Sequence, residues 1–309
     1  MRAGWIAIGL AILLSLARCF AREEQPLELV EVCHSRIEVA FDSAPDPPLR
    51  KLVMKWVATS AHAVCIYYQK FPVNEVRINI RFFNGHGVRS GFTQGWNGPS
   101  IRIAVGNGSS GSDFVADWEL THEMVHLAFP SVADAHHWIE EGSATYIEPI
   151  ARARAGDLTP EKVWGDLVDG LPQGLPGAGD QGLDHTPTWG RTYWGGALFC
   201  LLADIDIRKR TNNRKGLEDA MRAIIAAGGT IDAQWPLINA LRIGDDATGV
   251  PVLTELYEKM KDSPSPVDLN AIWTDLGVQK KEGGIRFNDS APLATVRRAI
   301  TSTKAIPAR

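Results

Sequence analysis

The run Glu119-Leu-Thr-His122-Glu123-Met-Val-His126-Leu-Ala-Phe129 constrains this chain more than any other stretch, because its apolar spacing is helical and its polar residues are metal ligands. On an α-helix, His122 and His126 lie one turn apart and about 40° apart around the axis, so both imidazoles can reach one ion. Glu123 follows the first histidine. Its carboxylate therefore sits beside the ion, where it can take a proton from a water that the metal polarises. A catalytic zinc takes three protein ligands and keeps one position open, so the fold must bring a third ligand against this helix.

Pro130 stops the run, and a second helix is expected to open near Ala135 and return past the first. Glu141, in its first turns, is the expected third ligand, with Gly142 allowing the two helices to approach closely at the ion. Glu140, His136, His137 and Asp134 remain alternatives.

Elsewhere the pattern divides the chain into a strand-rich part and a helical part. Alternation predicts strand structure over 27–41, 76–82 and 101–105, and helical spacing predicts a helix over 49–68. Residues 84–99 are glycine-rich and read as a loop, and 101–105, the strand before the metal helix, is the expected edge strand for pairing with an extended peptide. Ser112 or Asp113 is the expected cap of the metal helix. Beyond it, helices are expected over 217–227, 231–241, 252–260 and 267–276, then a strand at 285–287 and a helix over 294–300. The expected division is a strand-rich part at 22–112, a helical metal-binding part at 113–280 and a short extension at 281–309.

Residues 1–21 read as a secretory signal: Arg2, an apolar run over 5–16, then Cys19-Phe20-Ala21 before Arg22-Glu23-Glu24. The expected location is secreted or periplasmic, with no stable membrane insertion once the signal is cleaved. Oxidising surroundings would let Cys33 pair with Cys65, leaving Cys200 buried. A formal charge of −4 supplies no basic field, so nucleic acid is not an expected partner.

The motif His122-Glu-x-x-His126 followed by Trp138-x-x-Glu141-Gly142-x-Ala144 resembles the gluzincin metallopeptidases. Arg154-Ala-Gly156-Asp-Leu-Thr-Pro160-Glu and the run from Thr192-Tyr193 to Arg208 resemble the glycyl-aminopeptidase type within that group. The resemblance implies an α+β, zincin-like catalytic domain: a mixed N-terminal sheet with a helix, the His-Glu-x-x-His helix, and a mostly helical C-terminal lobe. It also implies one Zn2+ per chain held by His122, His126 and Glu141, with a peptide or protein as substrate. Catalysis falls to Glu123 as general base and to Tyr193 as hydrogen-bond donor to the oxyanion. Tyr193 has a physical case of its own, since it stands where a Gly/Pro-rich stretch at 165–190 gives way to an apolar helix. His185 and Asp184, in the same stretch, are weaker candidates for substrate contact.

Two positions depart from the group. Gly195 replaces a lysine common after the tyrosine, and the Gly-x-Met-Glu-Asn motif that anchors a free amino terminus in aminopeptidases is absent upstream of His122. The same residues would also serve a zinc hydrolase of a non-peptide substrate, or a catalytically inactive binding protein of the same fold.

Overall fold

A computed structural model describes residues 27–302; the expected signal segment at 1–21 lies outside the described residues. Five strands form one mixed sheet in the order β1-β2-β3-β5-β4, where β1 is Glu28–Val32, β2 Ser35–Phe41, β3 Glu75–Phe83, β4 Val88–Gln94 and β5 Ser100–Gly106. β1 and β2 are an antiparallel hairpin, β2, β3 and β5 run parallel, and β4 returns antiparallel along β5.

A parallel step needs a crossover, and α1 (Pro47–Tyr68) supplies it between β2 and β3. Its start is strongly encoded: the Asp46 carboxylate accepts from the Leu49 amide at 2.8 Å, and Pro47 and Pro48 occupy the first turn. Val53, Trp56, Val57 and Val64 of α1 share one core with Ile37, Val39, Ile78, Ile80, Ile101 and Ile103 of the sheet. Cys65 of α1 is bridged to Cys33 across a Cα–Cα distance of 6.5 Å.

Two sequence expectations change in the sheet. The strand structure expected over 27–41 is a hairpin, turned at Cys33 and His34, both of which have positive φ (47° and 66°). The expected loop at 84–99 contains β4, and β4 is the edge strand. β5, expected at the edge, is paired on both sides. β4 lacks the apolar alternation that marks a buried strand because Gly91 and Thr93 face the metal helix at close range.

The metal helix, expected from about residue 113 to 129, is broken. α2 (Gly111–Ala116) ends at Asp117, and α3 (Glu119–His126) starts anew. Ser110, rather than Ser112 or Asp113, is the residue before α2, and its amide donates to the Asp113 carboxylate at 2.7 Å. Asp117 starts α3 by accepting from the Glu119 and Leu120 amides at 3.1 and 3.2 Å, while Trp56 donates to the same side chain at 2.9 Å. A 3₁₀ turn, Asp134–His136, leads into α4 (His137–Ala155), which packs against α1 and α3.

The remaining elements form the helical lobe. α5 (Pro160–Gly170) is followed by an irregular stretch and a π-helical turn, Gly190–Gly195, which runs straight into α6 (Gly196–Arg210). The stretch expected to be a loop from 165 thus begins as helix. α7 is Leu217–Ala226, α8 Leu237–Thr248, α9 Val252–Met260 and α10 Leu269–Leu276. The helix expected over 231–241 begins only after Pro236. Residues 231–232 form a turn and 233–235 an extended stretch instead, bridged to the turn after α3 by Ser131 N–H to Ala233 O at 2.9 Å and Trp235 N–H to Ser131 O at 3.0 Å.

The hairpin β6 (Val278–Lys281) and β7 (Gly284–Phe287) and the helix α11 (Ala294–Thr301) complete the lobe. α11 is tied to α4 by the Arg154 guanidinium, which donates to Ile300 O at 2.8 Å. Fully buried Arg208 pairs with Asp204 and with Glu218, each at 2.7 Å, and Tyr146 donates to Asp204 at 3.0 Å, so one polar network ties α4, α6 and α7. Among the described residues, no helix is long and apolar enough to cross a membrane.

Candidate metal centre

α3 places His122, Glu123 and His126 at the floor of the site, with ligand-capable atoms of all three within 4.8 Å of one another. α4 brings Glu141 over the two imidazoles: its Oε2 lies 3.2 Å from His122 Nε2 and 3.6 Å from His126 Nε2. Tetrahedral bonds of 2.0–2.1 Å put neighbouring ligand atoms roughly 3.3 Å apart, and the two nitrogen-to-oxygen spacings here, 3.2 and 3.6 Å, are of that size.

The alternative ligands are engaged elsewhere. Glu140 accepts from the Val132 amide at 3.1 Å and faces His137 Nδ1 at 2.9 Å. His136 faces Asp184 at 3.0 Å, and Asp134 is exposed on the 3₁₀ turn. His137 stands behind Glu141, its Nε2 3.3 Å from the second carboxylate oxygen. This imidazole, an alternative ligand in the sequence, instead pairs with Glu140 and Glu141, which hold its pKa up to about 10. Burial by itself would raise Glu141, but hydrogen bonds from His122, His126 and His137 outweigh it and hold the carboxyl far below the usual range. Burial pushes His122 below its ordinary value; at His126, burial acts the same way, but Glu141 overcomes it and the net direction is up.

Glu123 lies beside this ligand set and is held from the other side by β4. Its Oε2 accepts from the Thr93 hydroxyl at 2.6 Å, and a Cβ on Gly91 would stand 2.6 Å from its Cγ and Oε1. β4 therefore lies against the carboxylate, with glycine where a side chain would collide. The Gly91 amide donates to Glu119, one turn earlier on α3. Burial is the main cause that raises Glu123 above the ordinary carboxylate range, while His126 and Thr93 act in the opposite direction.

Tyr193 reaches the site from the π-helical turn, its ring stacked on His122 at 6.4 Å between centroids. Burial, then the charge and hydrogen bonding of Glu141, push its hydroxyl up to about 12. Extra-residue turns of this kind re-aim side chains at functional positions. Arg191 anchors this one: its Nε lies 2.7 Å from buried Asp180, and its guanidinium donates to Gly174 O.

Gly142 plays a different part from the expected one. A Cβ there would lie 2.2 Å from Gly196 C, so it permits the close approach of α4 to the start of α6, not of α4 to α3. Asp184 is a buried hub, accepting from Trp138 at 2.7 Å and Tyr257 at 2.9 Å, and His185 faces Asp262 at 3.0 Å, so this pair serves the fold. Thr93 and Gly91 went unrecognised in the sequence, since neither carries a metal-ligand or nucleophile signal.

No protein-family model matches the chain, and no curated protein matches it. Solved structures do. An aminopeptidase N family protein from Idiomarina loihiensis is similar at a TM-score of 0.59 and 16% identity, over 83% of this chain and 50% of that one. An M1 zinc metallopeptidase from Deinococcus radiodurans gives 0.50 at 13% identity, over 79% and 53%. A mutant of the Deinococcus radiodurans protein bound to a Tyr-Ser-Ala substrate gives 0.51 at 14% identity, over 79% and 54%. The chain spans about half the length of these proteins. At these identities the likeness is one of fold: the mixed N-terminal sheet and the helical part match the M1 peptidase-like fold.

Proposed function

We propose that this chain is a zinc-dependent peptidase of the gluzincin kind, with one Zn2+ held by His122, His126 and Glu141. The observation that carries the reading is the placement of Glu141 Oε2 at 3.2 and 3.6 Å from the two imidazole nitrogens, with Glu123 beside them and held by Thr93. A zinc ion bound there would supply Lewis acidity and bring the acidity of water near neutrality.

The chain's own residues do the rest. Glu123 accepts the proton of the attacking water and returns it to the departing amine. Thr93 fixes the direction of that carboxylate. The Tyr193 hydroxyl stays protonated at neutral pH, as its raised pKa requires, and donates to the oxygen that gains charge in the transition state. His137 braces the far oxygen of Glu141, orienting the ligand as an outer-shell partner. The substrate backbone pairs with the edge of β4, whose Gly91 and Thr93 already border Glu123. The Cys33–Cys65 bridge supports an exported, secreted or periplasmic protein.

The test is elemental analysis of wild type and His126→Ala together with an unbiased peptide library. Stoichiometric zinc that is lost in the variant, with cleavage by the wild type, is expected. Full zinc in His126→Ala would overturn the ligand set. Zinc with no cleavage of any peptide would turn the reading to a binding protein, or to a zinc hydrolase of another substrate.

A further inference from the structure

Two of the large apolar side chains that this fold leaves in solvent touch the rings of the metal centre. Trp118, 53% exposed, meets His122 edge-on at 5.4 Å, and Trp189, 61% exposed, stacks on Tyr193 at 5.7 Å. With Tyr193 stacked on His122, the four rings form an unbroken line: Trp118, His122, Tyr193, Trp189.

Exposed apolar residues scattered singly over a surface need no explanation. These two are not scattered. Each comes from the residue or turn that opens a functional element: Trp118 precedes α3, and Trp189 precedes the π-helical turn that carries Tyr193. Neither is needed to complete the core at these points, because Leu120 and Met124 of α3, and Leu198 and Phe199 of α6 into which the π-helical turn runs, are already buried. Their free faces offer a flat apolar surface, with polar edges limited to one indole N–H each.

We propose that Trp118 and Trp189 form an aromatic wall of the substrate site, selecting peptides with a large apolar, above all aromatic, side chain next to the bond to be cut. The proposal rests on the zinc-peptidase reading and specifies its substrate class. A Phe or Trp side chain laid on this wall buries ring against ring in offset or edge-on contact, which an Ala or Gly residue cannot do. Apolar pockets discriminate by size in this way, about tenfold or more for a change as large as Phe to Ala. Small residues are expected to be poor substrates, and acidic ones poorer still, because Glu119, Glu123, Glu140 and Glu141 give the site a negative field.

The experiment measures kcat/KM of the zinc-loaded wild type on matched peptides that carry Phe, Trp, Leu, Ala, Gly or Asp at one position beside the scissile bond. It repeats this for Trp118→Ala, Trp189→Ala and the conservative Trp118→Phe and Trp189→Phe. In parallel, calorimetry measures binding of the same peptides to zinc-loaded Glu123→Gln with and without the tryptophan changes. The expected result is a Phe-to-Ala ratio of about tenfold or more in wild type that falls several-fold in each alanine variant and is retained by the phenylalanine variants, at unchanged zinc content. A wild type that cuts Ala and Phe peptides alike, or alanine variants that keep the full ratio, would overturn the wall. A protein that cuts nothing yet binds Phe peptides in a tryptophan-dependent way would retain the wall and overturn the peptidase reading. Equal binding of Phe and Ala peptides in that case would overturn both.

Discussion

Gly142→Ala offers a perturbation whose size can be worked from the structure. The added Cβ would lie 2.2 Å from Gly196 C, 2.3 Å from Gly196 Cα and 2.7 Å from Ala197 N, all of them backbone atoms that cannot rotate away. Restoring an ordinary contact near 3.4 Å requires α4 and the start of α6 to part by roughly 1.2 Å. Overpacking of this kind costs about 1–3 kcal/mol, which corresponds to a Tm lower by roughly 2–5 °C in a chain of this size. The functional effect should be larger. Glu141 precedes Gly142 on α4 and Tyr193 lies three residues before Gly196, so parting the helices separates the third ligand from the oxyanion donor. A displacement near 1 Å at reacting groups costs about 10²-fold in rate. The assay is kcat on a cleaved peptide, with zinc content and thermal unfolding of the same preparation. Gly156→Ala is the control: Gly156 has φ 89° and nothing within 4 Å of a built Cβ, so it should cost about 1 kcal/mol and leave kcat unchanged. Wild-type kcat and Tm in Gly142→Ala would refute the reasoning, because they would mean the helices can part without disturbing the site.

Thr93→Val removes the hydroxyl that donates to Glu123 at 2.6 Å and should lower kcat by about 10-fold or more with KM little changed, while Thr93→Ser restores it; equal kcat in both variants would remove Thr93 from the mechanism. Glu148 is buried, and burial pushes its carboxyl up to about 7 despite Arg152 at 2.9 Å. The folded state therefore binds this proton more tightly than the unfolded chain, and the stabilisation is full below about pH 4.5 and is lost as pH rises through about 7, a loss on the order of 3 kcal/mol. Urea midpoints across pH 5–8 should fall in wild type and fall less in Glu148→Gln; identical slopes would contradict the assignment.

Short-range features were legible in the sequence because their causes are short-range. Asp46-Pro-Pro starts α1 by local capping, Val76, Ile78 and Ile80 alternate because one face of β3 is buried, and His122 and His126 meet by helix geometry alone. Glu141 was legible because a short turn forces α4 back over α3. The hidden features depend on contacts between distant segments. β4 carries Gly91 and Thr93 where a self-sufficient strand would carry apolar residues, since its inner face is shaped to Glu123. The hairpin turn at Cys33 and His34 uses positive φ without the Asn-Gly pair that would announce it. Ile231 and Trp235 have helical spacing, but their segment bonds to the end of α3 and the turn after it and becomes a turn and a short bridge. Gly142 was recognised as a site of close approach, and its partner was not, because Gly196 is 54 positions further along the chain.

The central claim is that Glu123 serves as the base beside a zinc site built by its neighbours. Glu123→Gln keeps the size and hydrogen-bonding capacity of the side chain and removes its ability to accept the proton. Measured together on one preparation, zinc stoichiometry and peptide kcat decide the matter. The account predicts one zinc per chain in both proteins and a fall in kcat of about 10²- to 10⁴-fold in the variant. Zinc at full occupancy with wild-type kcat in Glu123→Gln would contradict it.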